Sequence, residues 1–229
     1  MQHRIDDVSY VVSSNKKKVD IHVAVRIAPP RLAWGITATY TYTILGSGDV
    51  FLNVKGDPQG DLPETMPRIG LTMKLPKTLE NVSWYGRGPG EAYVDSMMAN
   101  KIGVWTNNVE GLYTPYVWPQ ENGNRHQVKW VSLTDANGFG LLAVGEPEID
   151  FSAHYYTTEN IENANHTHDL KKEDYITFNL DHKQHGLGSS SCGPDVLEKY
   201  RLRPEAFEFE VRFKPYFKNQ FSPIELSKF

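Results

Sequence analysis

The fold class is decided by residues 19–54, which read VDIHVAVRIAPPRLAWGITATYTYTILGSGDVFLNV. Apolar side chains occupy alternate positions in three runs, 19–27, 34–44 and 50–54. This is the period of a β-strand that buries one face and exposes the other. Two consecutive prolines end the first run, and a Gly-Ser-Gly-Asp turn joins the second run to the third as a hairpin. The stretch therefore predicts antiparallel strands.

The same alternation recurs along the rest of the chain, in the runs 69–75, 128–133, 139–144, 149–153, 176–180 and 207–213. Residues 135–138, Asp-Ala-Asn-Gly, are typical of a hairpin turn. Helical turns are expected only around 159–163 and 170–174, and residues 57–67 are expected to form a polar loop. About ten antiparallel strands with short turns and no long helix predict an all-β sandwich. No domain boundary is evident, so residues 1–229 are expected to form a single domain.

Composition excludes several classes of function. The chain has 229 residues, of which 39% are hydrophobic and 23% charged, with a net charge of −4, as in soluble globular proteins. The longest basic run is Lys16–Lys18, so the electrostatic footprint of a nucleic-acid-binding protein is missing. No apolar run has the length of a membrane span, and no membrane partner is expected. Cys192 is the only cysteine, which excludes an intrachain disulfide, and a cytoplasmic location is expected.

The segment 84–125 is the richest in chemistry, and it reads WYGRGPGEAYVDSMMANKIGVWTNNVEGLYTPYVWPQENGNR. Its glycines and prolines interrupt any helix, and its aromatic content is too high for a disordered linker. The segment therefore predicts ordered loops and short strands. Flat aromatic side chains next to amides and charged groups suit a sugar-binding surface, and they suit core packing as well. The residues alone leave both interpretations open.

Four motifs, in order, resemble the C-terminal, small-chain domain of glycoside hydrolase family 2 β-galactosidases: WYGRGPGEAYVDS at 84–96, LYTPYVWPQENGNR at 112–125, GLGSSSCGP at 186–194 and FEFEVRFKPY at 207–216. The resemblance runs from about Arg68 to the end, and more faintly back to the first residues. The chain is also similar to the small subunit of heterodimeric lactobacillar β-galactosidases. The resemblance implies a galactose-mutarotase-like, antiparallel super-sandwich that lacks its first strands.

The resemblance also implies a division of labour. Retaining β-galactosidases hydrolyse terminal β-D-galactose, as in lactose, with two carboxylates about 5 Å apart. In the family these glutamates, and the magnesium ligands, lie on a separate barrel domain. No catalytic residue, metal or cofactor is therefore expected on this chain, which is expected to be inactive alone. The implied partners are a barrel-bearing chain or domain and a galactoside substrate, and self-association is expected to cover exposed surface.

The glycine-rich motif implies a loop at the rim of the barrel's active site, with Gly188, Ser191, Cys192 and Gly193 as its site residues. In many family members a tryptophan of this loop stacks on the sugar, and Cys192 takes the corresponding place here. A thiol offers no aromatic face, which places the stacking role in doubt. The alternative is that the glycines only shape a tight turn, and both interpretations stay open.

A second group of polar residues follows Trp118 and comprises Glu121, Asn122 and Arg125. These side chains could contact carbohydrate. They could instead tie loops to the sheet through an arginine–carboxylate pair, because buried polar groups need partners. Among the nearby carboxylates, Asp95 is interpreted as a turn or hydrogen-bonding residue rather than a catalytic one.

Two further functions compete with the small-chain role. One is a stand-alone carbohydrate-binding module that uses the aromatic surface 84–118. The other is a mutarotase-like epimerase, which needs a histidine such as His126 or His154 with a carboxylate such as Glu121. The remaining histidine motif, His166-Thr-His168-Asp169, lacks the further ligands of a zinc site and is interpreted as surface histidines.

Overall fold

A computed structural model describes residues 1–189 and 192–228. In those residues the chain forms strands joined by turns and very short helices. The strands are β1 Gln2–Val12, β2 Lys18–Ala28, β3 Trp34–Leu45, β4 Val50–Gly60, β5 Arg68–Pro76, β6 Asn81–Gly88, β7 Lys101–Asn108, β8 Arg125–Thr134, β9 Phe139–His154, β10 Tyr175–Gln184 and β11 Phe207–Phe217. The helices are α1 Val109–Leu112, α2 Thr158–Asn163 and α3 Pro223–Leu226, with 3-10 turns at Met97–Ala99, Thr167–Asp169 and Glu198–Tyr200.

The strands form one hydrogen-bonded network that divides at β9. The main path runs β1-β2-β3-β4-β11-β9-β8-β6-β7, and β10 connects β5 to β9 outside that path. Every pairing is antiparallel. The first half of β9 pairs with β11 as far as Glu146, and its second half pairs with β10 from Asp150 onward. Two branches of sheet therefore diverge from one long strand.

The two branches enclose a common core. Val54 and Phe209 from the first branch belong to the same apolar cluster as Ile176 and Phe178 from the second. Phe151 of β9 is fully buried in this cluster. Its ring centroid lies 5.8 Å from that of Trp84 and 6.3 Å from that of Phe178. The prediction of an all-β antiparallel sandwich is confirmed.

Two local predictions change. Residues 57–60, expected in a polar loop, continue β4, because β3 is long enough to pair with them as far as Trp34. No helical turn forms at 170–174. The turn lies earlier, at Thr167–Asp169, because the Asp169 carboxylate accepts hydrogen bonds from the backbone N–H groups of Asn165 and His166.

The alternation of apolar residues did not predict strand β1, and the exposure of its residues explains why. Every residue of β1 is exposed, so neither face carries a buried apolar row. It pairs with β2 alone among the described strands. In the described part of the chain, no helix combines the length and apolar character needed to cross a membrane.

Candidate functional site

Three of the sequence motifs meet at one end of the sandwich. Asp95 accepts a hydrogen bond from the N–H of Gly188 at 2.8 Å, which joins the first motif to the glycine-rich loop. Glu91 accepts from the N–H of Gly123 at 2.8 Å and from the Tyr116 hydroxyl, which joins the first motif to the second. The carboxylates of the first motif therefore act as acceptors that hold loops in place, as the sequence indicated for Asp95.

Arg125 is the central tie of this assembly. It is 3% exposed, and its guanidinium donates to the carbonyl oxygens of Leu112 at 3.1 Å, Gly123 at 2.6 Å and Pro89 at 3.1 Å. It also lies over the ring of Trp84, 5.4 Å from the centroid. Burial lowers the pKa of Arg125 to about 10. Arg125 therefore ties loops together, as one of the two interpretations of the sequence predicted. Its partners are backbone carbonyl groups, whereas the sequence analysis expected a carboxylate.

Asn122 has a similar role. It is 1% exposed, its Oδ1 accepts from the N–H of Thr114 at 3.0 Å, and its Nδ2 donates to the carbonyl of Gln120 at 2.9 Å. The side chain thus fixes the path of the loop that carries Trp118. Since Asn122 and Arg125 both lie inside the protein with backbone partners, a sugar contact by either remains a prediction without direct support.

Trp118 and Glu121 are placed differently. The Trp118 side chain is 67% exposed and follows Val117, which is 90% exposed. Its ring is therefore available to stack on a flat ligand. Glu121 lines a cleft of about 830 Å³, together with Arg68, His185, Gly186 and Leu187. We call this the rim cleft, because one wall belongs to the glycine-rich loop.

An ion-pair network that the sequence did not reveal forms the base of the rim cleft. Arg68 donates to Asp181 at 2.6 and 3.2 Å and reaches Glu121 at 3.5 Å. Burial lowers the pKa of Arg68, but the charges of Asp181 and Glu121 outweigh it and raise the pKa overall. Burial raises the pKa of Glu121 despite the charge of Arg68. Asp181 occupies a polar position in the alternating run 176–181, so the sequence pattern did not indicate that its side chain is buried.

The glycine-rich loop is held by its own backbone. Gly188 has φ +65°, and a Cβ at this position would lie 2.9 Å from the backbone nitrogen of Val196. Cys192 is exposed, and its N–H donates to the carbonyl of Ser189 at 3.0 Å. Gly193 is also exposed, whereas Ser191 lies outside the described residues. The geometry therefore requires glycine at 188.

The two histidines considered for acid–base chemistry occupy different environments. His154 is 5% exposed, its Nε2 lies 2.9 Å from the carbonyl oxygen of Asn122, and burial lowers its pKa to about 4. It is a buried neutral group rather than an accessible acid. His126 lines a different cleft from Glu121, with its Nδ1 2.8 Å from Asp150. The structure does not bring His126 and Glu121 into one pocket.

The histidine motif at 166–169 is more compact than its sequence indicated. Ligand atoms of His166, His168 and Asp169 lie within 4.8 Å of one another, and the two imidazole rings stack with centroids 5.2 Å apart. Both histidines are exposed. The expectation that the chain carries no metal remains untested.

The fold and the rim together define an antiparallel β-sandwich domain that presents loops, an open cleft and an exposed tryptophan at one end. The chain belongs to the beta galactosidase small chain family, whose sequence profile matches residues 2–213.

Individual relatives agree with this assignment. The chain is similar to a beta-galactosidase of Kluyveromyces lactis, with 32% identity over 92% of this chain and 20% of that protein. It is also similar to a beta-galactosidase of an Arthrobacter species, with 33% identity over 74% of this chain and 17% of that protein. The chain thus spans about a fifth of the length of the curated relatives it matches.

The chain is also similar to solved structures. A galactose 1-epimerase from Lactobacillus acidophilus has a TM-score of 0.48 and 11% identity, over 90% of this chain and 65% of that one. A galactose mutarotase related enzyme from the same organism has a TM-score of 0.46 and 10% identity, over 94% of this chain and 71% of that one.

Proposed function

We propose that this chain is the small-chain part of a β-galactosidase and completes an enzyme whose catalytic barrel lies on a partner chain or domain. The observation that carries the proposal is that 92% of this chain matches a fifth of the beta-galactosidase of Kluyveromyces lactis. The reaction is hydrolysis of terminal, non-reducing β-D-galactose, with lactose as an example. The site of action is cytoplasmic.

The carboxylates at the rim support a division of labour between this chain and its partner. Retaining hydrolysis needs one carboxylate free to attack and a second that can give and take a proton. Glu91 is engaged by Gly123 and Tyr116, and Asp95 by Gly188. Glu121 faces the guanidinium of Arg68. Because each carboxylate already holds a loop or an arginine, we assign the catalytic glutamates, and the magnesium that the family uses, to the partner.

The contribution of this chain is to shape the edge of the partner's active site. In this proposal the exposed residues of the glycine-rich loop, Gly188, Cys192 and Gly193, face the substrate, and Ser191 belongs to the same loop. The Asp95 and Arg125 ties position this loop relative to Trp118. A loop fixed in advance loses less conformational freedom when the partner and galactoside bind.

The test is hydrolysis of o-nitrophenyl galactoside by this chain alone and after mixing with a barrel-bearing large fragment that lacks its terminal domain. We expect no activity from either component and activity in the mixture. The control is an unrelated β-sandwich protein in the same mixture, which should restore nothing. Inactive mixtures of components that are folded by circular dichroism would contradict the proposal.

A second function, as a carbohydrate-binding module, is favoured by the exposure of Trp118. Aromatic rings that remain open to solvent commonly mark binding surfaces. This alternative requires that the chain bind galactosides without a partner and that Trp118→Ala weaken that binding. It also requires that mixing with the large fragment restore no hydrolysis, which distinguishes the two functions in one pair of assays.

We further propose that β1 mediates self-association. Its outer edge is unpaired among the described strands, and Val8, Tyr10 and Val12 share one exposed face. Unpaired edges with apolar side chains are templates for pairing with another chain. A second copy of β1 would satisfy this edge in an antiparallel arrangement.

A further inference from the structure

A second cleft opens where the sheet divides. Strand β9 separates from β11 after the pair Glu146–Glu210 and joins β10 at the pair Asp150–Asp181. The gap between the two branches holds a cavity of about 370 Å³. We call it the fork cleft, and its lining includes Ile69, His126, Asp150, His182, Tyr200 and Phe207.

The floor of the fork cleft is a fixed pair of side chains. Asp150 is 6% exposed and accepts hydrogen bonds from His126 Nδ1 at 2.8 Å, from the N–H of Gln127 at 3.2 Å and from Nδ2 of Asn124 at 3.2 Å. Since a carboxylate can only accept, Nδ1 of His126 carries a hydrogen, and Nε2 is an acceptor whenever the ring is neutral. Among the described residues, none is hydrogen-bonded to that Nε2.

A second imidazole lies in the same cleft. The ring of His182 stacks on that of Phe209 with centroids 5.2 Å apart and planes inclined by 7°. Burial lowers the pKa of His182, so this ring is neutral at neutral pH. The cleft thus combines two imidazoles with the aromatic rings of Tyr200 and Phe207.

The charges around the cleft largely compensate one another. Arg201 pairs with Glu64 at 2.8 Å, and Arg203 pairs with Glu198 at 2.6 Å. Glu148 pairs with Lys129 at 3.4 Å. The charged groups left over in the lining are Lys183, Lys199, Glu205 and the buried Asp150, two of each sign. A lining without net charge favours an uncharged polar ligand over an anion or a cation.

We propose that the fork cleft is a carbohydrate site that takes one neutral monosaccharide. Its volume lies at the lower end of the range for small-molecule sites, about 300–1,000 Å³, which suits a single ring. A sugar hydroxyl donates to His126 Nε2, and the apolar face of the pyranose packs on the aromatic wall. The site is distinct from the rim cleft, although Gln184 lines both.

The test is ligand-observed saturation-transfer NMR on the full chain with methyl β-D-galactopyranoside, which cannot open its ring, and with galactose 6-phosphate. We expect transfer to the neutral sugar and weaker transfer to the phosphate.

The variant His126→Asn keeps a donor toward Asp150 but removes the acceptor Nε2. It should weaken binding of the neutral sugar about three- to tenfold. His168→Asn makes the same change on the surface and should leave binding unchanged. The wild-type His126 ¹⁵N resonance should also shift on titration, which needs no variant.

Several results would overturn the proposal. These are absence of transfer to methyl β-D-galactopyranoside, equal affinity of His126→Asn and the wild type, or an unmoved His126 resonance at saturating sugar. Loss of binding in Trp118→Ala but not in His126→Asn would place the sugar on the exposed tryptophan instead. Complementation of the large fragment by His126→Asn is measured separately, so failure of the fork cleft and failure of the small-chain role can be told apart.

Discussion

At the scale of single residues, the rim depends on buried polar side chains that hold loop backbone. Hydrogen bonds to main-chain groups are made by the side chains of Arg125, Asn122 and Asn124. Some of these groups lie in another loop and some in the same loop as the side chain. Removing one such side chain leaves carbonyl or N–H groups buried without partners, and that penalty exceeds the modest net value of a hydrogen bond. These residues therefore matter for stability as well as for the shape of the rim.

His154 should make stability depend on pH. The unfolded chain binds a proton near the ordinary histidine pKa of 6.5, and the folded chain near a pKa of about 4, because burial disfavours the charged ring. The unfolded state therefore binds more protons between these values, and the stabilisation is full above 6.5 and lost as pH falls toward 4. Urea unfolding should show about 2 kcal/mol less stability at pH ~5 than at pH ~7 from this group.

The variant His154→Gln removes this ionisable group and should flatten the pH dependence in that interval. His168→Gln, a change at an exposed histidine, should keep the slope of the wild type. If His154→Gln keeps the full slope, another group is responsible and the assignment to His154 is wrong.

Arg125→Met tests the loop tie directly. The methionine fills part of the space but leaves the carbonyls of Leu112, Gly123 and Pro89 without their donor. We expect a loss of about 3 kcal/mol in the free energy of unfolding by urea. Arg31→Met, at an exposed position, is the control and should change stability by less than about 0.5 kcal/mol. Similar stability of the two variants would contradict the role of Arg125.

At the scale of elements, the glycine-rich loop and β1 contribute little to the hydrophobic core. The loop is joined to the first motif by one carboxylate, and β1 is joined to the sheet by one ladder. Neither element buries a row of apolar side chains. Such elements open more readily than the core strands.

The loop tie can be tested with Asp95→Ala. This variant removes the acceptor of the Gly188 N–H, so hydrogen exchange at that amide should become about tenfold faster. Exchange in β8 and β9 should stay as in the wild type. Asp61→Ala, at an exposed carboxylate, is the control and should leave hydrogen exchange unchanged both at Gly188 and in β8 and β9. Unchanged exchange at Gly188 in Asp95→Ala would show that the loop is held by other contacts.

Strand β1 can be tested through Val8→Lys. Val8 is 56% exposed at the unpaired edge strand, and a charge there disfavours pairing with a second copy. We expect sedimentation velocity to show associated wild-type protein and a shift toward monomer in the variant. Val117→Lys, at a 90% exposed valine elsewhere, should associate like the wild type. A wild type that stays monomeric at all concentrations would refute the role of β1.

At the scale of the whole molecule, Cys192 gives a single chemical handle on the proposed assembly. It is the only cysteine and it is exposed. A bulky maleimide attached before mixing should raise the KM of the complemented enzyme for o-nitrophenyl galactoside, because the label would occupy the substrate rim. Cys192→Ser treated in the same way should keep its KM. An unchanged KM after complete labelling would place Cys192 away from the substrate.

Much of this architecture could be predicted from the sequence, because alternation of apolar residues is a local signal. Strands β2, β3 and β11 each pack apolar side chains of one face against the core, so their side chains alternate visibly. Strand β1 lacks that alternation because both its faces are exposed, and its assignment depended on pairing with β2. The continuation of β4 through residues 57–60 likewise depended on the length of its neighbour β3.

The candidate site was likewise only partly predictable from the sequence. The sequence by itself determined the all-β class, the motifs and their resemblance, because these depend on residue type and order. Only the tertiary structure placed Arg68 on Asp181, directed Arg125 to carbonyl groups and opened the fork cleft around His126. Those features join residues far apart in the chain. Which residues meet depends on strand register and on the division of the sheet at β9, and neither can be derived from local sequence.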